Sequence, residues 1–335
     1  MSELRARGTL GDGEVAEVLA LALAATETDG VGPLSEHALL ALRGGRSGLA
    51  VSDRGAVVAY AHFDPASAPD AASPADAASA PDPASARDQA STPDAASVGE
   101  PAAGELVVHP EHRRRGHGRA LLRALRDEAG GPLRVWAHGD LPAAAALASA
   151  EGMQRARALF QMRRPAADPL PEASAAEGVS IRAFEPGRDE GAWLEVNARA
   201  FADHPEQGAW TMEDVRERET EDWFDPAGFF LAERDGRLVG FHWTKVHPGG
   251  IGEVYVVGVD PSAQGLGLGR TLTLRGLHHL RDIGMDQIML YVDESNVAAV
   301  RLYESLGFTQ HAVDVMYANR IAPTRPPHSP CTATA

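Results

Sequence analysis

Two glycine-rich stretches have the residue types and spacing of turns that bind a diphosphate. Residues 113–118 read Arg-x-x-Gly-x-Gly and residues 264–269 read Gln-x-x-Gly-x-Gly, and each follows a predicted strand and opens a predicted helix. Glycine lets the backbone approach an anion closely, and the free amides of a helix N-terminus point at it with the helix dipole behind them. One such pattern also fits an ordinary tight turn, so its repetition in the same context favours two anion-binding turns.

The two stretches belong to an internal repeat. Residues 106–119 align with residues 257–270, and residues 148–153 align with residues 303–308. Each half therefore predicts a strand, a glycine-rich turn, a helix, a strand, a helix and a strand in the same order. Amphipathic helices and two short strands precede this matched part in both halves. A chain of 335 residues is long enough for two domains, and we predict an α/β protein (an α+β mixed sheet) of two tandem domains.

Changes in composition set the predicted domain boundaries. The predicted segments are an N-terminal domain over residues 1–163, a linker rich in Pro, Ala and Glu over 164–178, a C-terminal domain over 179–320 and a flexible tail over 321–335. Residues 64–101 repeat Asp-x-Ala-Ser six times with almost no large aliphatic side chain to bury, which predicts a disordered insertion in a surface loop. A docking or solvating arm is the alternative interpretation.

The charge balance and the apolar stretches exclude several classes of partner. The formal net charge of −16 disfavours nucleic acid or an anionic membrane surface as the main partner. The apolar stretch at residues 15–25 contains Glu17, is too short to span a bilayer and lacks the pattern of a signal peptide. Cys331, the single cysteine, excludes an internal disulfide and a thiolate metal cluster. We predict a cytoplasmic protein that acts as a monomer.

The motifs around the two turns resemble those of the GNAT acetyltransferase superfamily. An Arg or Gln followed by x-x-Gly-x-Gly after a strand is similar to that superfamily's pyrophosphate loop. The pattern from Asn296 to Tyr303, Asn-x-Ala-Ala-x-x-x-Tyr, is similar to its later helix. The Rossmann pattern Gly-x-Gly-x-x-Gly and the Walker pattern Gly-Lys-Ser/Thr do not fit these turns.

Longer strings narrow the resemblance. Residues 204–208, 240–247 and 252–261, in a tandem arrangement, resemble the mycothiol synthase family. That family acetylates the cysteinyl amine of cysteinyl-glucosaminyl-inositol, with acetyl-CoA as co-substrate and no metal. The resemblance covers nearly the whole chain outside residues 64–101 and the tail.

Direct acetyl transfer to an amine requires an ammonium that loses a proton, a polarised thioester oxygen and a thiolate that gains a proton. The resemblance implies that Glu253 is the general base, often through water, and that Tyr303 is the general acid. The repeat offsets place Ala102 and Ala148 at the matching N-terminal positions. The sequence therefore predicts chemistry in the C-terminal half alone. A solvated strand-end carboxylate and a core tyrosine remain the alternative interpretations.

The resemblance also implies contacts to acetyl-CoA, with a backbone amide near Val259 polarising the thioester oxygen. The contacts expected in the C-terminal half are Val257, Gly258, Val259, Gln264, Gly265, Leu266, Gly267, Leu268, Gly269, Arg270, Asn296, Val297, Ala298, Ala299, Val300 and Arg301. Those expected in the N-terminal half, which would bind acetyl-CoA without turnover, are Leu106, Val107, Val108, Arg114, Arg115, Gly116, His117, Gly118 and Arg119.

For the acceptor, the resemblance implies contacts from Glu36, Glu206, Lys245, Glu253 and Tyr291. Carboxylates suit an ammonium and sugar hydroxyls, and Lys245, the single lysine of the chain, can donate to a hydroxyl or a carbonyl. Because Glu36 lies in the N-terminal half, its contact with the acceptor would place the cleft between the halves. Ordinary helix-end carboxylates at Glu36 and Glu206 are the alternative.

Two other functions remain open from the sequence. One is a GNAT N-acetyltransferase for another small amine, such as an aminoglycoside or a peptide N-terminus. The other is a regulator that binds acetyl-CoA without turnover, which the joint presence of Glu253 and Tyr303 disfavours. His204, His242 and His247 lack the spacing of metal ligands, so we predict no metal site from them.

Overall fold

The computed structural model describes residues 3–44, 48–65, 101–174, 177–202 and 205–319. Most of the predicted disordered insertion and all of the predicted tail lie outside these residues, and so does His204. Within them, every helix is too short or too polar to cross a membrane.

Each half contributes six strands and at least four helices, in the order that the sequence predicts except that an additional strand, β1 or β7, opens each half. The N-terminal half contains β1 (Glu3–Gly8), α1 (Asp12–Asp29), α2 (Glu36–Arg43), β2 (Gly48–Asp53), β3 (Ala56–Asp64), β4 (Ala102–Val108), α3 (His117–Ala129), β5 (Leu133–Ala137), α4 (Pro142–Ala150) and β6 (Met153–Pro165). The C-terminal half contains β7 (Val179–Ala183), α5 (Glu190–Ala200), α6 (Pro205–Gly208), α7 (Met212–Glu219), β8 (Phe229–Arg234), β9 (Arg237–His247), β10 (Ile251–Val259), α8 (Leu268–Asp282), β11 (Gln287–Asp293), α9 (Val297–Ser305) and β12 (Thr309–Asn319).

The strands form one mixed sheet in the order β1-β2-β3-β4-β5-β12-β6-β11-β10-β9-β8-β7. The pairs β4–β5 and β10–β11 are parallel, as a crossover helix between them requires. This mixed α/β architecture confirms the predicted fold class. The boundaries drawn from composition remain predictions, although β6 runs to Pro165, beyond the predicted domain end at residue 163.

The last strands of the two halves are exchanged. β6, from the N-terminal half, lies beside β11 and completes the C-terminal part of the sheet. β12, from the C-terminal half, lies beside β5 and completes the N-terminal part. β6 and β12 also pair with each other, from Thr309 opposite Arg163 to Asn319 opposite Met153. Backbone hydrogen bonds therefore join the two halves along their full contact, which the repeat pattern in the sequence does not reveal.

Each face of the C-terminal part of the sheet carries its own core. One core lies under α8 and α9 and includes Val254, Leu277 and Tyr303. The other lies under α5 and α7 and is strongly aromatic, with Trp193 and Trp243 fully buried. Trp193 meets its aromatic neighbours mainly edge to face, the geometry that ring quadrupoles favour.

A glycine in α8 makes room for a buried histidine of β9. His242 is fully buried, and its Nδ1 lies 2.7 Å from the carbonyl oxygen of Leu272. Burial lowers the pKa of His242 to about 4, so the imidazole is neutral at physiological pH. A Cβ at Gly276 would overlap the His242 ring.

We expect Gly276→Ala to lower the free energy of unfolding by about 1–3 kcal/mol, because the added methyl forces the packed ring and helix apart. Gly191→Ala is the matched control, since that exposed glycine lies in helix α5 and a Cβ there meets nothing within 4 Å. The control should raise stability by about 0.5–1 kcal/mol through helix propensity. Urea unfolding of both variants measures this, and equal gains in stability would contradict the packing argument.

Candidate active site

Strands β10 and β11 run side by side and then separate. Their parallel pairs end at Val254 opposite Leu290, whereas β10 continues along β9 to Val259. A β-bulge at Tyr255 accompanies the separation. Among the described residues, the last part of β10 therefore lacks a partner strand on its β11 side. The predicted cofactor residues 257–259 lie at this gap, where backbone groups can bind a ligand.

The turn after β10 presents the N-terminus of α8. Gly265 and Gly267 have φ angles of +81° and +70°, which glycine adopts without strain. Gly267 is the N-cap of α8, and it supplies no side-chain acceptor for the first amides, which suits an anion. Arg270 donates to the Ser305 hydroxyl at 3.0 Å and so ties α8 to α9, whose N-terminus Asn296 caps.

The matching N-terminal turn lines a cavity of about 660 Å³. Gly116, with φ of +91°, is the N-cap of α3 and repeats the geometry of Gly267. Arg115 is the predicted N-terminal contact that does not line this cavity, and its guanidinium donates to the carbonyl of Glu111. The predicted residues in the lining are Leu106, Val107, Val108, Arg114, Gly116, His117, Gly118 and Arg119.

The predicted acceptor residues of both halves meet on one face of β9 and β10. Glu253 lies directly opposite Lys245 in the antiparallel pair. The Lys245 ammonium forms an ion pair with Glu36 at the start of α2. Glu36 also accepts a hydrogen bond from the Tyr255 hydroxyl at 3.3 Å. The cleft therefore contains carboxylates, a cation and a phenol, and a side chain of the N-terminal half reaches into it.

Two cations, Arg218 and Lys245, pack against aromatic rings on this face. The sequence predicted a role for Lys245 but not for Arg218 or the rings. Arg218, nearly fully buried on α7, donates to the Tyr255 hydroxyl at 3.0 Å and lies over the Trp210 ring at 4.1 Å. Lys245 lies over the Trp223 ring at 4.5 Å. Burial raises the pKa of Tyr255 well above its usual range, although the Arg218 charge counteracts this. An arginine on a charged helix gives no signal in the sequence that would mark it.

His247 is a further residue that the sequence did not single out as functional. Its Nε2 lies 2.5 Å from Oε2 of Glu253. His247 and Lys245 are two residues apart on β9, so their side chains leave the strand on the same face. The imidazole retains 29 % of its exposure, whereas the Glu253 side chain retains 9 %. His247 therefore lies between the buried carboxylate and solvent.

Tyr303 lies on the other face of the sheet from Glu253. Its ring is 2 % exposed in the core under α8 and α9, which also contains Val254 and Val257, and it packs edge to face against Phe308 at 5.8 Å. Burial raises the pKa of Tyr303 above its usual value, which keeps the phenol protonated. The ring is thus packed in the core, and the role of its hydroxyl as a general acid stays a prediction. This packing also fixes the position of its hydroxyl.

Two predicted acceptor residues remain, Tyr291 and Glu206. Tyr291 of β11 accepts a hydrogen bond from the Gln161 side chain at 2.7 Å, so the exchanged strand β6 holds it. Burial, and then the charges of Asp314 and Glu253, raise the pKa of Tyr291. The side chain of Glu206 lies outside the described residues.

The structure changes which residue of the N-terminal half corresponds to Glu253. Glu253 pairs with Met289 of β11, and the equivalent position of β4 is Ala103, which pairs with Arg134 of β5, rather than Ala102. The reason is the bulge in β10, an extra residue that the β3–β4 pairing lacks. The N-terminal position is alanine in either alignment and carries no carboxylate.

One cluster of metal-ligating side chain types occurs in the described part of the chain. His37, His62 and Asp64 bring their ligand atoms within 4.8 Å of one another. Both imidazoles lie within hydrogen-bond distance of the same Asp64 oxygen, at 3.2 and 3.0 Å. These hydrogen bonds lower the pKa of Asp64 against the effect of burial, so hydrogen bonding accounts for the cluster.

Comparison with known proteins finds one family whose model matches both halves of the chain. The model of the acetyltransferase (GNAT) family matches residues 21–151 and 193–308. The chain is 64% identical to the mycothiol acetyltransferase of Thermomonospora curvata over 95% of this chain and 96% of that protein. It is 57% identical to the mycothiol acetyltransferase of Thermobispora bispora, over 93% of this chain and 97% of that one.

A solved structure shares the whole fold. It is a tandem GNAT protein from the clavulanic acid biosynthesis pathway, with a TM-score of 0.65 and 21% sequence identity, and the match covers 97% of this chain and 100% of that one. Both halves of the chain thus match the GNAT family in sequence, each carries a turn with a glycine N-cap, and a solved structure has the same tandem fold. The chain belongs to the GNAT acetyltransferase family.

Proposed function

We propose that the protein transfers the acetyl group of acetyl-CoA to the cysteinyl amine of cysteinyl-glucosaminyl-inositol, giving mycothiol and CoA. The observation that carries the proposal is the cleft in which Glu253, Lys245 and Tyr255 of one half meet Glu36 of the other. The mycothiol acetyltransferases that resemble this chain do so over nearly their whole length, so this shared cleft is expected to serve the same class of acceptor.

Glu253 acts on the acceptor amine. An ammonium must lose a proton before its nitrogen lone pair can attack the thioester carbon. A buried carboxylate is suited to that step because it accepts the proton, directly or through a water, where solvent is largely excluded. Glu253 is 7 % exposed. It lies beside Lys245, whose ammonium forms an ion pair with Glu36.

The gap between β10 and β11 receives the thioester. The pantetheine arm runs along residues 257–259, and the diphosphate binds at the N-terminus of α8 behind Gly267. A backbone amide near Val259 donates to the carbonyl oxygen as negative charge develops on it, which lowers the barrier without any rearrangement of solvent. Glu253 and Tyr303 lie on opposite faces of the sheet, so in this proposal the amine and the sulfur react on opposite sides of the gap.

Tyr303 donates a proton to the departing sulfur. When the tetrahedral intermediate collapses, the carbon–sulfur bond breaks and the thiolate takes the phenolic proton. The raised pKa of Tyr303, which burial causes, keeps the phenol protonated before the sulfur departs. Direct transfer of this kind takes no metal.

The acceptor is held by charge and hydrogen bonding. Glu36, Glu206 and Glu253 suit the ammonium and sugar hydroxyls, and Lys245 and Tyr291 can donate to hydroxyl or carbonyl oxygens. Arg218 contributes indirectly because it orients the Tyr255 hydroxyl. We propose a cytoplasmic monomer, and the net charge of −16 supports the absence of a nucleic-acid or anionic membrane partner.

The N-terminal half binds acetyl-CoA without turning it over. Its cavity of about 660 Å³ has the glycine turn and the diverging strands β4 and β5, whose pairs end at Glu105 while β4 continues to Val108 along β3. The two proton-transfer positions are alanines, Ala103 and Ala148. Such a half keeps the cofactor site and lacks the groups for transfer.

The acceptor is tested by an acetyl-CoA turnover assay with cysteinyl-glucosaminyl-inositol, an aminoglycoside and a peptide N-terminus. We expect the sugar conjugate to give the highest kcat/KM, because its amine and hydroxyls match the charged cleft. Faster turnover of another amine would assign the enzyme to that amine. Binding of acetyl-CoA with no turnover of any acceptor would indicate the regulator instead.

We expect Tyr303→Phe to lower kcat by on the order of 10²–10⁴-fold, the usual contribution of a proton-transfer group. The phenylalanine ring keeps the contact with Phe308, so the KM for acetyl-CoA and the melting temperature should stay close to those of the wild type. Steady-state kinetics and thermal melts measure this, and an unchanged kcat would remove Tyr303 from the mechanism.

The two glycine N-caps offer a matched pair of variants, Gly267→Val and Gly116→Val. Both positions have positive φ, and a Cβ at either meets no protein atom within 4 Å, so backbone strain is similar and the variants differ in which half's proposed diphosphate site receives the side chain. We expect Gly267→Val to lose acetyl-CoA turnover almost completely and Gly116→Val to keep most of it. Kinetics on variants shown to be folded check this, and the reverse result would move the chemistry to the N-terminal half.

A further inference from the structure

The proposed steps of acetyl transfer use Glu253 but give no role to His247, which contacts it. His247 Nε2 and Glu253 Oε2 are 2.5 Å apart, so the two side chains are in direct hydrogen-bond contact. The imidazole is the more exposed partner, at 29 % against 9 % for the carboxylate side chain. A proton on Glu253 therefore has a bonded neighbour that reaches solvent.

The reaction itself requires an exit for a proton. An ammonium and acetyl-CoA give an amide, CoA as a thiol, and one free proton. The amine nitrogen loses two protons in all, and the departing sulfur gains one through Tyr303, which must be reprotonated. One proton is left over in each turnover, and the base that removes it is a carboxylate shielded from water. Unless that proton leaves, Glu253 cannot act as a base again.

The other groups around Glu253 are poorly suited to take the proton. Lys245, opposite Glu253, is a cation paired with Glu36. Tyr255 and Tyr291 stay protonated because burial raises the pKa of each phenol, with the nearby Glu253 charge adding to the effect. An imidazole, in contrast, has two ring nitrogens, so it can accept a proton on one and give up a proton from the other.

We propose that His247 is the proton relay of the active site, taking the proton from Glu253 on its imidazole and passing it to solvent. The inference rests on the proposed function, since it needs Glu253 to be the base. His247 acts through Glu253 and does not touch the acceptor, so it positions and regenerates the base. The step moves one proton from carboxyl oxygen to ring nitrogen and then to water, and it needs no other reactant.

Two substitutions separate a relay from a purely structural hydrogen bond. His247→Gln keeps an amide that can donate to Glu253 but cannot carry a proton onward. His247→Ala removes the group and leaves space beside the carboxylate. We expect kcat for acetylation of the acceptor to fall on the order of 10²-fold in both variants, the lower end for a proton-transfer group. The KM for acetyl-CoA should change little.

The decisive measurement is rescue of His247→Ala by added imidazole. We expect kcat to rise with imidazole concentration in that variant and to stay flat in the wild type and in His278→Ala. His278 is the matched control, because its imidazole lies on α8 and contacts the Pro171 carbonyl, on the far side of the sheet from Glu253. Thermal melts confirm that each variant is folded.

The outcomes distinguish this inference from the function on which it rests. If the wild type acetylates no acceptor, the proposed function fails. If the wild type is active and His247→Gln retains its kcat, or imidazole leaves His247→Ala as slow as before, His247 has a structural role and the relay is wrong while the proposed function stands.

Discussion

The separation of β10 from β11 is the constraint on which the rest of the site depends. A sheet saturates its backbone hydrogen bonds, so a ligand can bind to strand backbone only where two neighbours part. Here the parallel pairs stop at Val254, and the bulge at Tyr255 turns the next residues so that β10 continues along β9 alone. The gap places unpaired backbone next to the glycine N-cap of α8. Glu253 and Tyr303, whose roles in acetyl transfer are proposals, lie on opposite faces of this part of the sheet.

The exchange of β6 and β12 explains how two copies of a domain act as one molecule. Each half is completed by the other's last strand, and Gln161 of β6 holds Tyr291 of β11. The N-terminal half also supplies Glu36, whose ion pair with Lys245 crosses the cleft. The N-terminal half therefore contributes a strand to the C-terminal part of the sheet and a carboxylate that pairs with Lys245.

The cleft owes its chemistry to burial as much as to the residues in it. Glu253, Lys245, Arg218 and Tyr255 are all nearly inaccessible, and each is matched with a partner of suitable charge or hydrogen-bonding type. Charges in such surroundings interact more strongly than in water, and the same burial makes unpaired groups costly. The aromatic rings of Trp210 and Trp223 beside the two cations lower that cost through their π faces.

The sequence by itself determined the repeated strand–turn–helix unit, the two glycine turns and the asymmetry between the halves. These features are local, since a glycine at a helix N-cap or an alanine in place of Glu253 is visible from spacing alone. The exchange of strands, the bulge at Tyr255 and the contacts of Arg218 and His247 were decided only by the tertiary structure. Strand pairing and side-chain contacts join residues far apart in the chain, and a short strand has the same pattern whichever neighbour it pairs with. In the sequence, His247 and Glu253 are residues of two separate predicted strands. The pairing of β9 with β10 brings their side chains into contact.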